Sequence, residues 1–571
     1  MGNVMSLKKL HNKVSRNGFD LQRKNSFSAK VGELLPCTVV ECLPGDSHKV
    51  RVQNFSRTMP VNTPAFTRIR EYFDWFFVPT NLLWNRYNTF VTQMVENNQK
   101  ADSITSSSTL TDRHPYFTSD AVKSYISKVN SQPTNIFGFN RADLTMKLLN
   151  YLDYGRWSRD KSNSNTIVGP SENVVLNPFP LLAYQKIYAD YFRNSQWERP
   201  NAPSFNIDYM KGDANNLQIP IASLDATKSY NMFDLRYCNW NKDYFMGVLP
   251  SSQYGDAVTV GTGEPITQFQ SQANVVQGDR IHLDEYEMKK LANALGLSDS
   301  ASQAQINGFF SILQLRQYEA KQKWAEITQS QQQDAKSQIE AHFGVTMSDA
   351  YSDRCRYVGG SVNTIDISEV VNTNLSSKDL QADLAGKGVG AGESFVDFKT
   401  DVHGYLICIY HAVPLLDYSI TGIPKCNLKH RVTDYAIPEF DRTGMVQVPL
   451  IELSSTYDSS DLNSSNLLGY APRYYDYKTS YDRVHGAFVD GGLDAWVAPF
   501  DDSYIEKYLK ASLIPGENEG INYIFFKVNP ATLNPIFMAA VDSTTATDQV
   551  LINANFDIKS VRNLDYDGLP Y

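Results

Sequence analysis

The sequence predicts a mainly β protein in which one antiparallel sandwich carries long helical and loop insertions between its strands. Three observations indicate this class. Strand-like segments come first, helical segments fill the middle, and strands dominate from Gly359 onward. Aromatic residues, which favour strands, make up 12% of the 571 residues. We find no repeat of about 20–50 residues, so the pattern does not fit a solenoid or a propeller.

One stretch near the N-terminus shows the clearest succession of elements. A turn at Leu43–Asp46 and a short strand at His48–Gln53 lead into an extended segment, Phe66–Pro79. Bulky side chains on both faces of that segment require cover on both sides, so we expect a core strand. Its core aromatic residues are Tyr72, Phe73, Trp75, Phe76 and Phe77. A proline ends the strand, and apolar residues at helical spacing predict a helix over Asn81–Met94.

Long insertions follow this core strand. At about residues 80–235 we expect helices and loops, with helices near Asp120–Val129, Arg141–Leu152 and Leu181–Phe192. Residues 251–305 are rich in Gly, Ser, Thr, Gln and Asn. That composition predicts a polar protrusion on the surface of the protein.

A second helical segment covers about residues 306–344 and ends at Gly344, because glycine readily adopts the left-handed conformation that closes a helix. Turns rich in Gly, Pro, Asp and Ser then separate short β-rich segments. Besides the strands above, those predicted are Leu34–Cys42, Asn363–Val371, Val402–Ala412, Met445–Leu453, Leu493–Ala498, Tyr523–Val528, Ile536–Val541 and Asn555–Val561. We therefore expect residues 31–571 to form a single domain with insertions.

Charge is distributed unevenly along the chain. The formal net charge is −9, yet residues 1–30 hold seven Lys and Arg against one Asp, which is +6 and leaves −15 for the remainder. We expect this segment to be a basic N-terminal arm with little regular structure. Such an arm either binds a polyanion or is a solvated terminus without a partner, and from charge alone the second fits slightly better.

The sequence offers no recognisable catalytic, cofactor or metal site. The six cysteines form no CxxC pair, and the nine histidines include no HExxH motif. The glycines of Gly386–Gly392 lack the preceding strand and following helix that a phosphate-binding loop needs, so we expect a flexible loop there. A GxSxG nucleophile motif is also absent. These absences favour a structural role.

We expect a soluble protein made in a reducing compartment. Most cysteines lie among apolar neighbours and are typical of small buried residues. The N-terminus is polar and basic, without the apolar segment of a secretory signal. The longest apolar run, Tyr405–Leu416, is too short to span a membrane.

A set of short motifs follows one another from about residue 30 to the end of the chain. They are Leu43-Pro-Gly-Asp46, Trp75-Phe-Phe-Val-Pro79 with Leu83-Trp84, Pro180-Leu-Leu-Ala-Tyr184, Asp243-Tyr-Phe245 with Leu249-Pro250, Leu315-Arg-Gln317, His342-Phe-Gly-Val-Thr346 with Gly359-Gly360, Leu468-Gly-Tyr470, and Phe556-Asp-Ile-Lys559 with Arg562. In this order they resemble the major capsid proteins of microviruses, the small icosahedral single-stranded DNA phages. Ser251-Ser252 and Arg354-Cys-Arg356 depart from the family pattern and indicate a divergent branch, gokushovirus-like or Bacteroides-phage-like.

The resemblance implies an eight-stranded antiparallel jelly roll, a viral β-sandwich, that performs no catalysis and needs no cofactor. It implies self-assembly through pentamers into a T=1 icosahedral virion shell, in the cytoplasm of the bacterial host. The implied partners are packaged circular single-stranded DNA, an internal scaffolding protein and a DNA pilot protein. Residues 251–305 are the implied contact for a host receptor.

The resemblance implies that the basic arm neutralises packaged DNA, because packaged phosphates repel one another unless cations neutralise them. The residues expected to face DNA are Lys8, Lys9, Lys13, Arg16, Arg23 and Lys24. A different function fits the same β pattern and the abundant aromatic residues. The alternative is a carbohydrate-binding or carbohydrate-active β-sandwich protein.

Overall fold

The computed structural model describes most of the chain in segments separated by gaps. The described residues are 15–61, 65–92, 114–131, 135–163, 166–210, 218–221, 224, 231–255, 312–332, 334–348, 352–371, 384–419, 422–457, 466–489, 492–493, 496–500, 522–537 and 548–566. The chain divides into two compact units. One comprises Met1–Pro250 with Met347–Tyr571, and the other comprises Ser251–Thr346.

Strands are the main regular structure of the first unit, as the sequence predicts. In chain order they are β1 (Asn17–Asp20), β2 (Arg23–Ala29), β3 (Leu35–Cys42), β4 (Ser47–Thr58), β5 (Ile69–Pro79), β6 (Phe117–Thr118), β7 (Ser158–Arg159), β8 (Ile167–Val168), β9 (Val175–Leu176), β10 (Arg356–Val371), β11 (Leu384–Lys399), β12 (Gly404–Pro414), β13 (Asp417–Ser419), β14 (Met445–Pro449), β15 (Leu467–Pro472), β16 (Arg483–Val484), β17 (Pro499–Phe500) and β18 (Val550–Arg562). Nine of the described strands form one antiparallel sheet in the order β1-β18-β4-β11-β10-β5-β12-β3, with β2 beside β1 on the same side of β18.

This main sheet curls because two of its strands change partner along their length. The first part of β10, Arg356–Ile365, pairs with β5, and the second part, Asp366–Val371, pairs with β11. In the same way β11 passes from β10 to β4 at Val389. Strands that change partner make a corner between two layers. The inner faces of β5 and β12 therefore lie against those of β4, β11 and β18.

The core between these layers is aromatic. Trp75 of β5 meets Phe556 of β18 edge to face, with ring centroids 6.0 Å apart. Phe77 packs on Phe398 of β11 at 5.1 Å. On the opposite side of β5, Phe76 packs against helical residues described below, so this strand is covered on both faces.

Buried and exposed side chains alternate along β4 and β18, so each strand covers the core with one face and meets solvent with the other. Along β4 every second side chain from His48 to Thr58 is buried, and the residues between them are exposed. The inward side chains of β18 from Val550 to Ser560 are likewise buried. A strand with one buried and one solvated face gives this period of two.

In the sequence, the helices of the first unit come mainly between β5 and β10. They are α1 (Tyr87–Thr92), α2 (Ser119–Asn130), α3 (Arg141–Tyr151), α4 (Phe179–Ile187) and, later in the chain, α7 (Lys425–Leu428). Side chains of Thr118 and Asn140 accept backbone hydrogen bonds at the starts of α2 and α3. A π-helical turn, Tyr188–Phe192, continues α4 and supplies the rings that cover Phe76.

The second unit is described mainly by two helices, α5 (Ile312–Ser330) and α6 (Ala335–Phe343). Gly344 closes α6 in the left-handed conformation, with φ of +67°, and its N–H donates to Glu340 at 2.9 Å. The predicted stop at Gly344 is therefore confirmed. Of the polar stretch 251–305, everything beyond residue 255 lies outside the described residues.

Two segments that the sequence predicts to be irregular are strands in the structure. Asn17–Ala29 is not irregular, because β1 and β2 there both pair with β18, a partner more than 500 residues away in sequence. Gly386–Gly392 is not a flexible loop but part of β11. Gly388, Gly390 and Gly392 face neighbours so closely that a Cβ would press on Thr58, Ile365 or Asn363.

The C-terminal strand predictions are mixed. Met445–Leu453 is a strand only as far as Pro449, and Tyr523–Phe526 is a buried 3-10 helix instead of a strand. Leu493–Ala498 is not a strand in its described part, and Ile536–Val541 lies largely outside the described residues. The apolar runs in these segments reflect burial, which strands and 3-10 turns share.

Candidate functional site

The basic residues predicted to face DNA differ in exposure and in their contacts. Lys8, Lys9 and Lys13 lie outside the described residues. Arg16 and Lys24 are exposed. Arg23 is half-buried, and its guanidinium donates to the carbonyl of Val39 at 2.6 Å. Burial lowers the pKa of Arg23. Arg23 thus ties β2 to β3, whereas Arg16 and Lys24 are free to face a polyanion.

The first and last of the sequence motifs meet in the fold. Within the turn at Leu43–Asp46, the Asp46 carboxylate accepts from the backbone N–H of Leu43 at 2.9 Å. Arg562, at the end of β18, places its Nε 3.4 Å from the same carboxylate and donates to the carbonyl of Glu41 at 2.7 Å. The two motifs therefore fix the C-terminal strand against the turn that opens the sheet.

A second pair of motifs also meets. Leu249 and Tyr470 exchange two backbone hydrogen bonds of 2.8 Å. Nearby, the buried Glu452 accepts from the hydroxyls of Tyr244 at 2.7 Å and Tyr475 at 2.5 Å. Burial raises the pKa of Glu452, while the two hydroxyls oppose the shift. Because one oxygen is held by Tyr244, 208 residues away, and the other by Tyr475, 23 residues away, this carboxylate joins three segments of the chain.

Another buried carboxylate joins two layers of the main sheet. Glu71 on β5 is fully buried and accepts from Asn54 and Ser56 of β4, each at 2.6 Å, and from the Tyr410 hydroxyl at 3.3 Å. Burial raises the pKa of Glu71, and the hydrogen bonds oppose the rise. A carboxylate that is enclosed by three donors cannot reach a substrate. Glu71 instead fixes the register between the two layers of the sandwich.

Asp74 and His411 form a closely spaced pair on the other face of β5. His411 Nδ1 lies 3.9 Å from Asp74 Oδ2, and the imidazole stacks on Tyr72 with ring centroids 4.6 Å apart. Burial raises the pKa of Asp74 to about 6 and lowers that of His411 to about 3. At neutral pH the imidazole is uncharged, so the contact is packing and not an ion pair.

An ion-pair network joins the two ends of the chain to the helical insertion. Lys147 on α3 places its ammonium 2.7 Å from Glu33 and 2.8 Å from Asp548. The Ser28 hydroxyl of β2 donates to the same Asp548 carboxylate. Sequence reasoning missed Glu33, Lys147 and Asp548. No local pattern could have found them, because they are more than 100 residues apart.

The described residues give little support to small-molecule or metal chemistry. A partly open cavity lined by α3, by residues 234–237 and by Tyr523 and Lys527, among others, has a volume of about 40 Å³, whereas ligand pockets are several hundred Å³. Within the described segments no group of three or more His, Cys, Asp or Glu is placed to hold a metal ion. None of the described helices is long and apolar enough to cross a membrane.

Comparison with known proteins decides the family. A family model described as capsid protein (F protein) matches residues 9–140 and 158–563, which is most of the chain. The chain belongs to this family of phage capsid proteins. As a capsid protein it is structural and not catalytic, it is a component of the virion, and it assembles into a multimeric shell.

Two similar proteins agree with this assignment. This capsid protein is 23% identical over 538 residues to capsid protein VP1 of Chlamydia phage 1, covering 85% of this chain and 86% of that protein. It is 24% identical over 525 residues to capsid protein VP1 of Bdellovibrio phage phiMH2K, covering 85% of each. The motif pairs that meet in the structure therefore hold together the framework of a capsid subunit of the microvirus type.

Proposed function

We propose that this capsid protein forms a T=1 icosahedral shell, built through pentamers, around circular single-stranded DNA. The observation that carries this proposal is the match to the capsid family over residues 9–140 and 158–563. The curled antiparallel sheet supports an eight-stranded jelly roll as its framework. Neighbours in that sheet, such as β3 and β12, are far apart in sequence, as Greek-key connections require.

Expression with and without the internal scaffolding protein, followed by electron microscopy, tests the assembly. We expect uniform hollow shells or symmetric pentamers. A monomer that retains or hydrolyses glycans, and that stays monomeric when the scaffolding protein is present, would contradict the proposal. That outcome would favour the carbohydrate-binding alternative.

The basic arm is proposed to neutralise packaged phosphates through Lys8, Lys9, Lys13, Arg16 and Lys24. The structure changes how this is tested, because a deletion beyond residue 16 would remove β1 and then β2 from the main sheet. Deletion of residues 1–14 removes only the basic segment before the sheet.

We expect the deletion to leave shells intact and to lower the DNA retained, increasingly so as salt is raised, since phosphate contacts are salt-dependent. A matched pair of variants separates charge from chain length. Replacement of Lys8, Lys9 and Lys13 by Gln should behave like the deletion, and replacement by Arg like the parent. Equal DNA content in all of these particles across a salt series would refute a DNA-facing arm.

Residues 251–305 are proposed to protrude from the outer surface and to contact the host receptor. Their polar composition supports exposure to solvent. We also propose that an internal scaffolding protein and a DNA pilot protein act during assembly in the host cytoplasm. Limited proteolysis of intact particles should cut within 251–305, whereas full protection of that stretch would place it inside the shell or at a subunit contact.

A further inference from the structure

The outward face of the sheet around β4 carries an unusual set of side chains. Cross-strand register places Ser26 of β2, Asn553 of β18 and Phe55 of β4 in one row. The next row contains Lys24, Asn555 and Gln53, at the equivalent positions of the same strands. We call this surface the outer β4 face. It combines amide, hydroxyl, basic and aromatic groups on a continuous antiparallel sheet.

Two phenylalanines stand on this face with arginines beside them. Phe55 is 39% exposed, and the Arg57 guanidinium lies 4.9 Å from the centroid of its ring. Phe395 of β11 is 74% exposed and has Arg51 at 5.4 Å. Exposed rings in the middle of a sheet leave a large apolar area in water. Each Arg–Phe pair presents a flat cationic and aromatic surface, which suits stacking.

The surroundings of Phe55 form an open depression of about 580 Å³. Its lining is shared among β2, β4 and β18. The lining residues are Ser26, Phe27, Ser28, Phe55, Arg57, Leu551, Ile552 and Asn553. The depression is largely open to solvent, and its walls offer hydroxyl and amide groups beside a ring. A flat group of the size of a nucleobase fits such a depression.

The charged side chains near Phe55 indicate which charge a binding partner carries. Arg57 and Lys24 lie close to the depression, and Lys387 is exposed two residues before Val389, the residue opposite Arg57. Two acidic side chains nearby already have cationic partners. Glu393 pairs with Arg51, and Asp548, which accepts from the lining residue Ser28, pairs with Lys147. This half of the face is therefore positive. The positive charge opposes binding of the equally basic N-terminal arm and favours a polyanion.

We propose that the outer β4 face binds single-stranded nucleic acid, with an unpaired base stacked on Phe55 beside Arg57. Lys24 and Lys387 contact phosphates, and the amides of Asn553 and Asn555 contact base edges, because an amide can both donate and accept hydrogen bonds. A duplex hides the faces of its bases, so this site selects single strands. The binding of single strands follows from the chemistry of this face alone. The identification of the bound strand in the virion as the packaged genome rests on the proposed function.

Oligonucleotide binding by the purified full-length chain tests this site. The assay is fluorescence anisotropy with a labelled short oligothymidine, a duplex of equal length, and an abasic strand that has phosphates but no bases. Phe55→Leu keeps an apolar side chain but removes the ring, and we expect binding of oligothymidine to weaken by about 10-fold. Phe55→Tyr keeps the ring and should bind as the parent does. Binding of the abasic strand should be the same in all three proteins.

Arg57→Gln provides a second measurement that does not depend on Phe55. We expect weaker binding because the cation beside the stacked base is lost. The log–log salt dependence should fall by about 0.7, since a site with one positive charge fewer releases one counterion fewer on binding. Matched controls are Phe440→Leu and Arg442→Gln, an exposed ring and an exposed cation from a segment outside this face. Neither control should change binding. Circular dichroism and limited proteolysis of each variant verify that it is folded.

Two results would overturn the proposal. One is oligothymidine affinity that stays at the parental value in folded Phe55→Leu and Arg57→Gln. The other is equal binding of duplex and single strand by the parent protein. Electron microscopy of shells from the same preparations keeps the two conclusions separate. Shells that form normally while Phe55→Leu and Arg57→Gln bind as the parent does refute only this site. Ring-dependent binding by a chain that stays monomeric even with the scaffolding protein present refutes only the assembly proposal.

Discussion

Replacement of Trp75 by Ala should prevent folding of the subunit and not merely weaken assembly. Trp75 is fully buried in the middle of β5 and contacts Phe556 of the C-terminal strand. A buried Trp covers about 150–250 Å², and truncation to Ala costs about 3–5 kcal/mol because a cavity remains. Folded domains are stable by only about 5–15 kcal/mol. The substitution therefore removes a large share of the total and loosens the contact that joins the two layers.

Two other variants serve as controls for Trp75→Ala. Trp75→Phe keeps a ring, and within the described residues the Trp75 indole N–H has no hydrogen-bond partner to lose. We expect a cost of roughly 1 kcal/mol for Phe, from the smaller buried area. Trp324→Ala removes a half-exposed Trp from α5 and should cost less than about 1 kcal/mol.

The measurements are the soluble fraction, far-UV circular dichroism and resistance to limited proteolysis, followed by microscopy of any soluble product. Trp75→Ala should be insoluble or protease-sensitive, with the other two variants close to the parent. Soluble, protease-resistant Trp75→Ala subunits that fail only in assembly would refute the reasoning. That result would mean that the contact between layers is not needed for the fold.

Two further predictions concern the sheet and its ion pairs. Gly392→Ala should destabilise the subunit by about 1–3 kcal/mol in thermal unfolding, because the added Cβ overlaps the Asn363 side chain. The control Ala391→Val, on the exposed face of β11, should have little effect. Equal melting temperatures for the two variants would contradict this prediction. Burial alone would raise the pKa of Asp548, but the Lys147 ammonium outweighs burial and lowers that pKa in the folded protein. The ion pair therefore stabilises the fold fully above about pH 4, and this stabilisation is lost as the pH falls through the lowered pKa of Asp548. Asp548→Asn should therefore lose about 1.5–3 kcal/mol at pH 7 and show a shallower decline in stability below pH 4, and an unchanged acid limb would contradict the assignment.

Several elements could be predicted from local pattern because their signals are local. The strand predicted at Leu34–Cys42 is β3, Leu35–Cys42, and the predicted helix near Asp120–Val129 is α2, Ser119–Asn130. Periodicity, caps and the glycine at residue 344 supply such signals within a few residues. The capsid family followed from motifs in order, which combine weak local matches into a specific pattern.

Long-range pairing could not be predicted in this way. β1 and β2 look like a polar arm because their partner, β18, lies at the other end of the chain. The glycines of β11 look like a loop because the close neighbours that require them, such as Thr58 and Asn363, are distant in sequence. For the same reason the rows of the outer β4 face emerge only once the register of four strands is known.

The pairing of both ends of the chain on one sheet has a consequence for synthesis on the ribosome. β1 and β2 are made first, yet among the described strands their partner is β18, which is made last. At about 5–20 residues per second the full chain takes roughly half a minute to two minutes, and until then β4 has an open edge. Open edges promote aggregation, so nascent chains need protection during this interval. A product that ends before Val550 lacks β18 and therefore leaves the edge of β4 open permanently.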